Sequence, residues 1–301
     1  MTRAGAFVGL VRWPGALTAA GNAATCFLIA HRPDSPGGRA AALGAVLGAA
    51  LVYSGGVVLN DVADATKDAT LHPTRPIPSG AVPRAAAARF GVALLVAGIA
   101  AVALLANAEA GAFAAAAAIS AVLYDFVGAR VRAAGMVFLG LARALNAATG
   151  AVAAAGGAAV VLDLARFPTL AQLHPIALFA YTAVLTWIST FEDDRTSRST
   201  PGALAAVLFV VAAFSWSVFP RTGWSGSPAI AFVFLAATLA SAAGAARDPD
   251  GPGIGAVVRA GVFGFVLVDA AWLFGVGRFE AGFYGLLVYV LLRLVLMRTR
   301  S

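Results

Sequence analysis

A single cysteine, Cys26, among 301 residues excludes an internal disulfide and any cysteine-based metal cluster. Cys26 is expected to pack as a small apolar side chain. Charge is nearly as scarce: Asp, Glu, Lys and Arg make up 12% of the chain against 60% hydrophobic residues, with a mean hydropathy of +0.86. No soluble globular domain has this balance. The net charge of +7 does not point to nucleic acid, because the basic residues are scattered through short loops and form no patch interleaved with aromatics.

Long apolar runs take the place of charge. Ten stretches are long and apolar enough to cross a bilayer, at roughly 14–30, 40–59, 87–107, 110–127, 135–161, 173–191, 202–219, 227–246, 255–275 and 280–297. Helices are the expected form, because an α-helix satisfies its own backbone in lipid. The abundant Ala and Gly suit close helix packing, as at Gly91, Gly98, Gly135, Gly140, Gly150, Gly156 and Gly157. The expectation is one transmembrane domain over 1–301, an all-α bundle of nine or ten membrane helices. No cleavable leader is expected, since the first apolar stretch runs straight on into further helices. About fifteen Lys and Arg fall on the side of the N-terminus and Asp64, against about five opposite, which predicts cytoplasmic termini and a cytoplasmic acidic loop in a multi-pass cell-membrane protein.

With so few acids, their placement carries information. The run Asn60-Asp61-Val62-Ala63-Asp64-Ala65-Thr66-Lys67-Asp68 ends a long apolar segment. On a helix, Asp61, Asp64 and Asp68 recur every three or four residues and share a face. Like charges so close repel unless something divalent lies between them. Carboxylates are ligands for Mg²⁺, which characteristically keeps a phosphate as a further ligand. Lys67 and Arg75 follow, a point charge and a bidentate fork suited to phosphate oxygens. The prolines at 73, 76 and 78 break the helix beyond this point.

A second acidic run, Glu192-Asp193-Asp194 with Arg195 and Arg198, repeats the theme and suggests a second cation site; a charged helix cap with Asp194 paired to Arg198 is the alternative. Tyr124-Asp125, with Arg130 and Arg132, marks a third polar connection. Arg143 and Asp269 fall well inside predicted spans. Arg143, near Asn146, is a functional-site candidate by default, with structural pairing to Asp269 or Asn146 as the other reading. Asp269 needs a partner or a wet cavity. His31, His72 and His174 receive no metal role.

These motifs resemble the UbiA superfamily of intramembrane prenyltransferases: Asn60-Asp61-x-x-Asp64-x-x-x-Asp68, then Arg75-Pro76-Ile77-Pro78-Ser79-Gly80, then Tyr124-Asp125 with Arg130, and acids again at 192–194. The stretch Gly140-Leu141-Ala142-Arg143-Ala144-Leu145-Asn146 is similar to a UbiA-like branch that includes Ebo-operon members. The resemblance implies a helical bundle around a central cavity. It implies that Asp61, Asp64, Asp68, Glu192, Asp193 and Asp194 hold Mg²⁺ on a polyprenyl diphosphate, and that Lys67, Arg75, Arg130 and Arg198 contact the diphosphate. Asn60, Arg143 and Asn146 are further substrate-binding candidates. Tyr124 or Asp125 would orient or deprotonate an aromatic or other small acceptor. Two departures stand out: Thr190 occupies the position where the second motif has its first acid, and 280–297 adds a tenth helix to the usual nine. The Thr190 departure keeps open a UbiA-like protein that binds a ligand for export or assembly without prenyl transfer. The sequence carries no signal for chain length, acceptor identity or oligomeric state.

Overall fold

The computed structural model describes residues 3–128, 131–166, 169–191, 236, 240 and 254–298. The described elements are helical, with no strand among the described residues. In order they are α1 (Arg3–Val11), α2 (Trp13–Ala30), α3 (Arg39–Ala63), α4 (Ala65–Leu71), α5 (Arg84–Leu105), α6 (Ala108–Phe126), α7 (Arg132–Ala155), α8 (Ala159–Leu162), a 3-10 turn over Leu164–Arg166, α9 (Leu170–Ser189), α10 (Ile254–Gly275) and α11 (Phe279–Arg298). Among the described residues, six helices are long and apolar enough to cross a membrane, namely α3, α5, α6, α7, α9 and α10. The expected spans 202–219 and 227–246 lie outside the described residues.

The chain divides into two compact units, residues 1–172 and 173–301. In the first unit, α3 packs on α2, α5, α6 and α7, and α7 packs in turn on α2 and α6. Helices α3 and α5 approach each other closely through glycines. A Cβ on Gly98 would lie 2.9 Å from the Gly48 carbonyl oxygen, and a Cβ on Gly48 would lie 2.8 Å from that of Gly98. Gly55 repeats this against the Gly91 carbonyl at 2.8 Å. Without a hydrophobic drive between helices in lipid, such backbone-to-backbone packing is what holds them together. Gly98→Leu is therefore expected to destabilise the protein by about 2 kcal/mol through overpacking, read as a lower unfolding temperature in detergent.

Two expectations need correction here. The fifth apolar stretch was expected to run to 161, but α7 ends at Ala155, because Gly156 adopts a left-handed conformation (φ 76°) that stops the helix. Gly156 thus serves as a helix stop. The acidic stripe also does not ride on one uninterrupted helix: α3 ends at Ala63 and α4 starts at Ala65, with Asp64 at the joint. The Asp64 and Asp68 amides still donate to the Asn60 and Asp64 carbonyls at 2.9 and 2.8 Å, so the helical spacing of the acids survives the break.

In the second unit, α9 packs on α10. The Tyr181 hydroxyl donates to the Gly261 carbonyl at 2.8 Å and its ring meets Phe265 edge-on. Helix α11 covers α10 around Ala270, Phe274 and Leu286. Asp269 finds its partner here: its Oδ1 lies 3.0 Å from His174 Nε2, and the imidazole also meets the Trp272 ring edge-on. His174 and Asp269 are 0% and 5% exposed. His174 sits in the second turn of α9 as the buried mate of the intramembrane acid.

Candidate active site

The apolar length of α3 delivers its polar C-terminal turn, Asn60 and Asp61, to one end of the first unit, where α4 adds Lys67 and Asp68. Prolines convert the following residues into a chain of turns. Within it the Arg75 amide donates to the His72 carbonyl and the Ser79 amide to the Arg75 carbonyl, both at 3.0 Å, and Gly80 turns through φ 77°. Ile77 and Val82 anchor the segment in an apolar cluster with Ala6, Leu10, Val58 and Ala87. Arg75 is thereby folded back over α4, and its Nη1 donates to Asp68 Oδ2 at 2.6 Å. Arg84 Nε donates to the Val62 carbonyl at 3.0 Å, occupying one of the free acceptors at the end of α3.

Arg12 was not singled out by the sequence reading. It joins α1 to α2, and its Nη2 donates to Asp61 Oδ1 at 2.5 Å. Its backbone is left-handed (φ 47°), which no other non-glycine residue among those described adopts. A bulky residue in that region is unfavourable and worth a functional explanation. The signal for it in the sequence is a cation directly before the Trp13-Pro14 helix start.

Asp61 and Asp68 are buried, 7% and 3% exposed, each carrying one arginine. Asp64 lies between them. Burial, then the Asp68 carboxylate, pushes its carboxyl above the usual carboxylate range. From α6, Asp125 joins this end through Oδ1, which accepts from Asn60 Nδ2 at 3.1 Å, while Asp125 Oδ2 is buried with no hydrogen-bond partner. Tyr124 stands one residue before it, beside Gly128 and Gly135. Arg143 and Asn146 are not brought into this cluster; their contacts lie further along α3 and α2. Arg130, Arg198, Glu192, Asp193 and Asp194 lie outside the described residues. Thr190 is described, and its hydroxyl donates to the Trp187 carbonyl at 2.8 Å.

Among the described residues, no three His, Cys, Asp or Glu side chains converge as a closed metal cage. Hard carboxylate oxygens with arginines beside them form a donor set for a metal and a phosphate together.

A family model described as the UbiA prenyltransferase family matches residues 19–263. A search of curated proteins found no match. Solved structures share the fold. A UbiA homologue from Aeropyrum pernix K1, in its apo state, is 20% identical with a TM-score of 0.60, over 87% of this chain and 98% of that one. A UbiA homologue from Archaeoglobus fulgidus bound to GPP and Mg²⁺ is 16% identical with a TM-score of 0.58, over 90% and 99%. A digeranylgeranylglyceryl phosphate synthase structure is 18% identical with a TM-score of 0.56, over 92% and 99%.

Proposed function

Because the chain belongs to the UbiA prenyltransferase family, we propose that it transfers a prenyl group from a polyprenyl diphosphate to a small acceptor, in a Mg²⁺-dependent reaction at the Asp61–Asp68 end of the first unit. One observation above all supports this reading: Asp61, Asp64 and Asp68 stand at the α3–α4 joint with Arg12 and Arg75 already seated on two of them. The acids Asp61, Asp64 and Asp68 would hold the metal. When bound, Mg²⁺ neutralises charge on the diphosphate oxygens as it leaves.

In this reading Arg12, Lys67 and Arg75 bind diphosphate oxygens, with Arg130 and Arg198 as further candidates. The allylic carbon–oxygen bond breaks and its electron pair departs with the diphosphate, where the arginines stabilise the growing charge. The acceptor forms the new bond to that carbon and gives up a proton. Asp125, through its unpartnered Oδ2, is the candidate base, with Asn60 fixing its other oxygen and Tyr124 orienting the acceptor. The apolar helices keep water from the cationic carbon. Positive charge in the loops supports a cytoplasmic orientation for this end.

The reading is tested by titrating the purified chain with geranylgeranyl diphosphate, with and without Mg²⁺, and then assaying transfer to an acceptor panel. Arg12→Ala is expected to weaken donor binding about tenfold, as loss of one charge-assisted phosphate contact would. Unchanged binding in that variant would remove Arg12 from the site. A ligand-carrying role without transfer draws its support from Thr190, whose hydroxyl is turned back on the Trp187 carbonyl where the second motif has its first acid. Under that alternative Mg²⁺-dependent donor binding occurs without turnover, and Thr190→Asp creates turnover.

A further inference from the structure

The ion pairs at the acidic end are too open to hold themselves together. The Arg12 and Arg75 side chains are 45% and 38% exposed, and an ion pair open to water contributes little to fixing a chain segment. Beside both pairs lies one apolar cluster, built from Ala6 and Leu10 of α1, Val58 of α3, Ile77 and Val82 of the proline-rich turns, and Ala87 of α5. It is tightly buried: Leu10 is 1% exposed, and Val58, Val82 and Ala87 are 0%. The Phe7 ring meets Phe90 edge-on at 5.3 Å beside it, seating α1 against α5.

Every charged member of the two pairs is tied to this cluster through a short stretch of chain. Arg12 follows Leu10 by two residues, and Arg75 precedes Ile77 by two. Asp61 follows Val58 by three on α3, while Val62 and Ala65, which pack on the cluster, lead on to Asp68. The stretches on the arginine side have little freedom. The Val82 amide donates to the Pro76 carbonyl at 2.9 Å and the Gly80 amide to the Ile77 carbonyl at 3.0 Å, which closes the turns that carry Arg75. Arg12 keeps its left-handed conformation with its carbonyl accepting from the Gly15 amide at 2.9 Å, so it is held between the end of α1 and the start of α2. A displacement of α1 is therefore passed to Arg12, and a displacement of Ile77 to Arg75.

We infer that Leu10 is a positioning residue of the diphosphate site, the side chain through which α1 sets Arg12 and Arg75 over Asp61 and Asp68 together. The inference rests on the prenyl-transfer reading for the identity of the ligand. Burying a leucine in such a cluster contributes more to placing a segment than a half-exposed ion pair does. Shortening it leaves a void that α1 and the turns close by shifting, and both arginines then lose register with the acids at once. Leu10 contacts no ligand in this scheme and acts only through the two guanidinium groups. A leucine that merely filled space would weaken the fold without regard to which arginines were present.

The test titrates the full chain in detergent calorimetrically with geranylgeranyl diphosphate in the presence of Mg²⁺, and records the unfolding temperature of each variant. Leu10→Ala is expected to bind about tenfold more weakly than the wild type, as displacement of a charge-assisted phosphate contact would. Leu10→Met, which keeps the volume, should bind within about twofold of the wild type. In the Arg12→Ala/Arg75→Ala background, Leu10→Ala should cause no further loss of affinity while still lowering the unfolding temperature, because groups that act through one another are not additive. Val102→Ala, a cut in a separate buried cluster, should lower the unfolding temperature and leave the affinity unchanged. Wild-type affinity in Leu10→Ala, an undiminished effect of Leu10→Ala in the double-arginine background, or an equal loss in Val102→Ala would overturn the assignment. If Leu10→Ala does not fold, Ile77→Val makes a smaller cut in the same cluster and is expected to bind about threefold more weakly; wild-type affinity there overturns the assignment equally. A wild type that binds no diphosphate overturns the prenyl-transfer reading and this assignment with it, whereas a wild type and a Leu10→Ala variant that bind equally well remove Leu10 alone.

Discussion

Asp64→Ala is expected to abolish Mg²⁺-dependent binding of geranylgeranyl diphosphate, a weakening of at least about 100-fold, or roughly 2.7 kcal/mol. The expectation follows from position. Asp61 and Asp68 are each paired to an arginine, whereas Asp64 sits at the joint of α3 and α4, held above the usual carboxylate range by burial and by Asp68. A carboxylate disfavoured by its surroundings gains most from a cation, so the metal is the natural source of its stabilisation. Binding is measured with and without Mg²⁺ in the wild type, Asp64→Ala and Asp194→Ala. Loss in Asp64→Ala alone would leave the first motif to carry the site by itself. Undiminished binding in Asp64→Ala would sink the assignment of the acidic end as the diphosphate site.

The second large effect concerns stability. Removing Asp269 leaves His174 buried without the partner of its Nε2, at a point where no water reaches it. Breaking a buried pair from one side costs about 3 kcal/mol or more. Asp269→Ala is therefore expected to lower the unfolding temperature in detergent strongly. The double variant His174→Leu/Asp269→Leu should recover most of that loss, because replacing both members by apolar groups removes the unpaired polar atoms as well. A double variant as unstable as Asp269→Ala would mean that shape, and not polarity, is what matters at this position.

Much of this was legible in the sequence. Hydropathy marked the described spans because lipid demands continuous apolar helices, and three- and four-residue spacing put Asp61, Asp64 and Asp68 together because that spacing survives even a helix break at Asp64. The partners were not legible. Arg12 is 49 residues from Asp61 and His174 is 95 from Asp269, and nothing local in either sequence reports which distant helix it will face. Gly156 looked like a packing glycine because composition does not reveal the sign of φ; only the fold shows that it ends α7. Arg143 was visible as costly, but its neighbours Thr18 and Tyr53 come from two other helices.

The two arginines on the acids have a thermodynamic consequence. A Mg²⁺ ion arriving alone at Asp61 or Asp68 must displace a guanidinium and leave it without a counter-charge, and a diphosphate arriving alone meets arginines already engaged. With both present, the carboxylates would be free to hold the metal and Arg12 and Arg75 to hold the phosphate, so that every charge would keep an opposite neighbour. Each ligand then binds better in the presence of the other, by the same factor in both directions, since such coupling is reciprocal. If the acidic end is the diphosphate site, metal and diphosphate would therefore bind there more tightly together than either does alone.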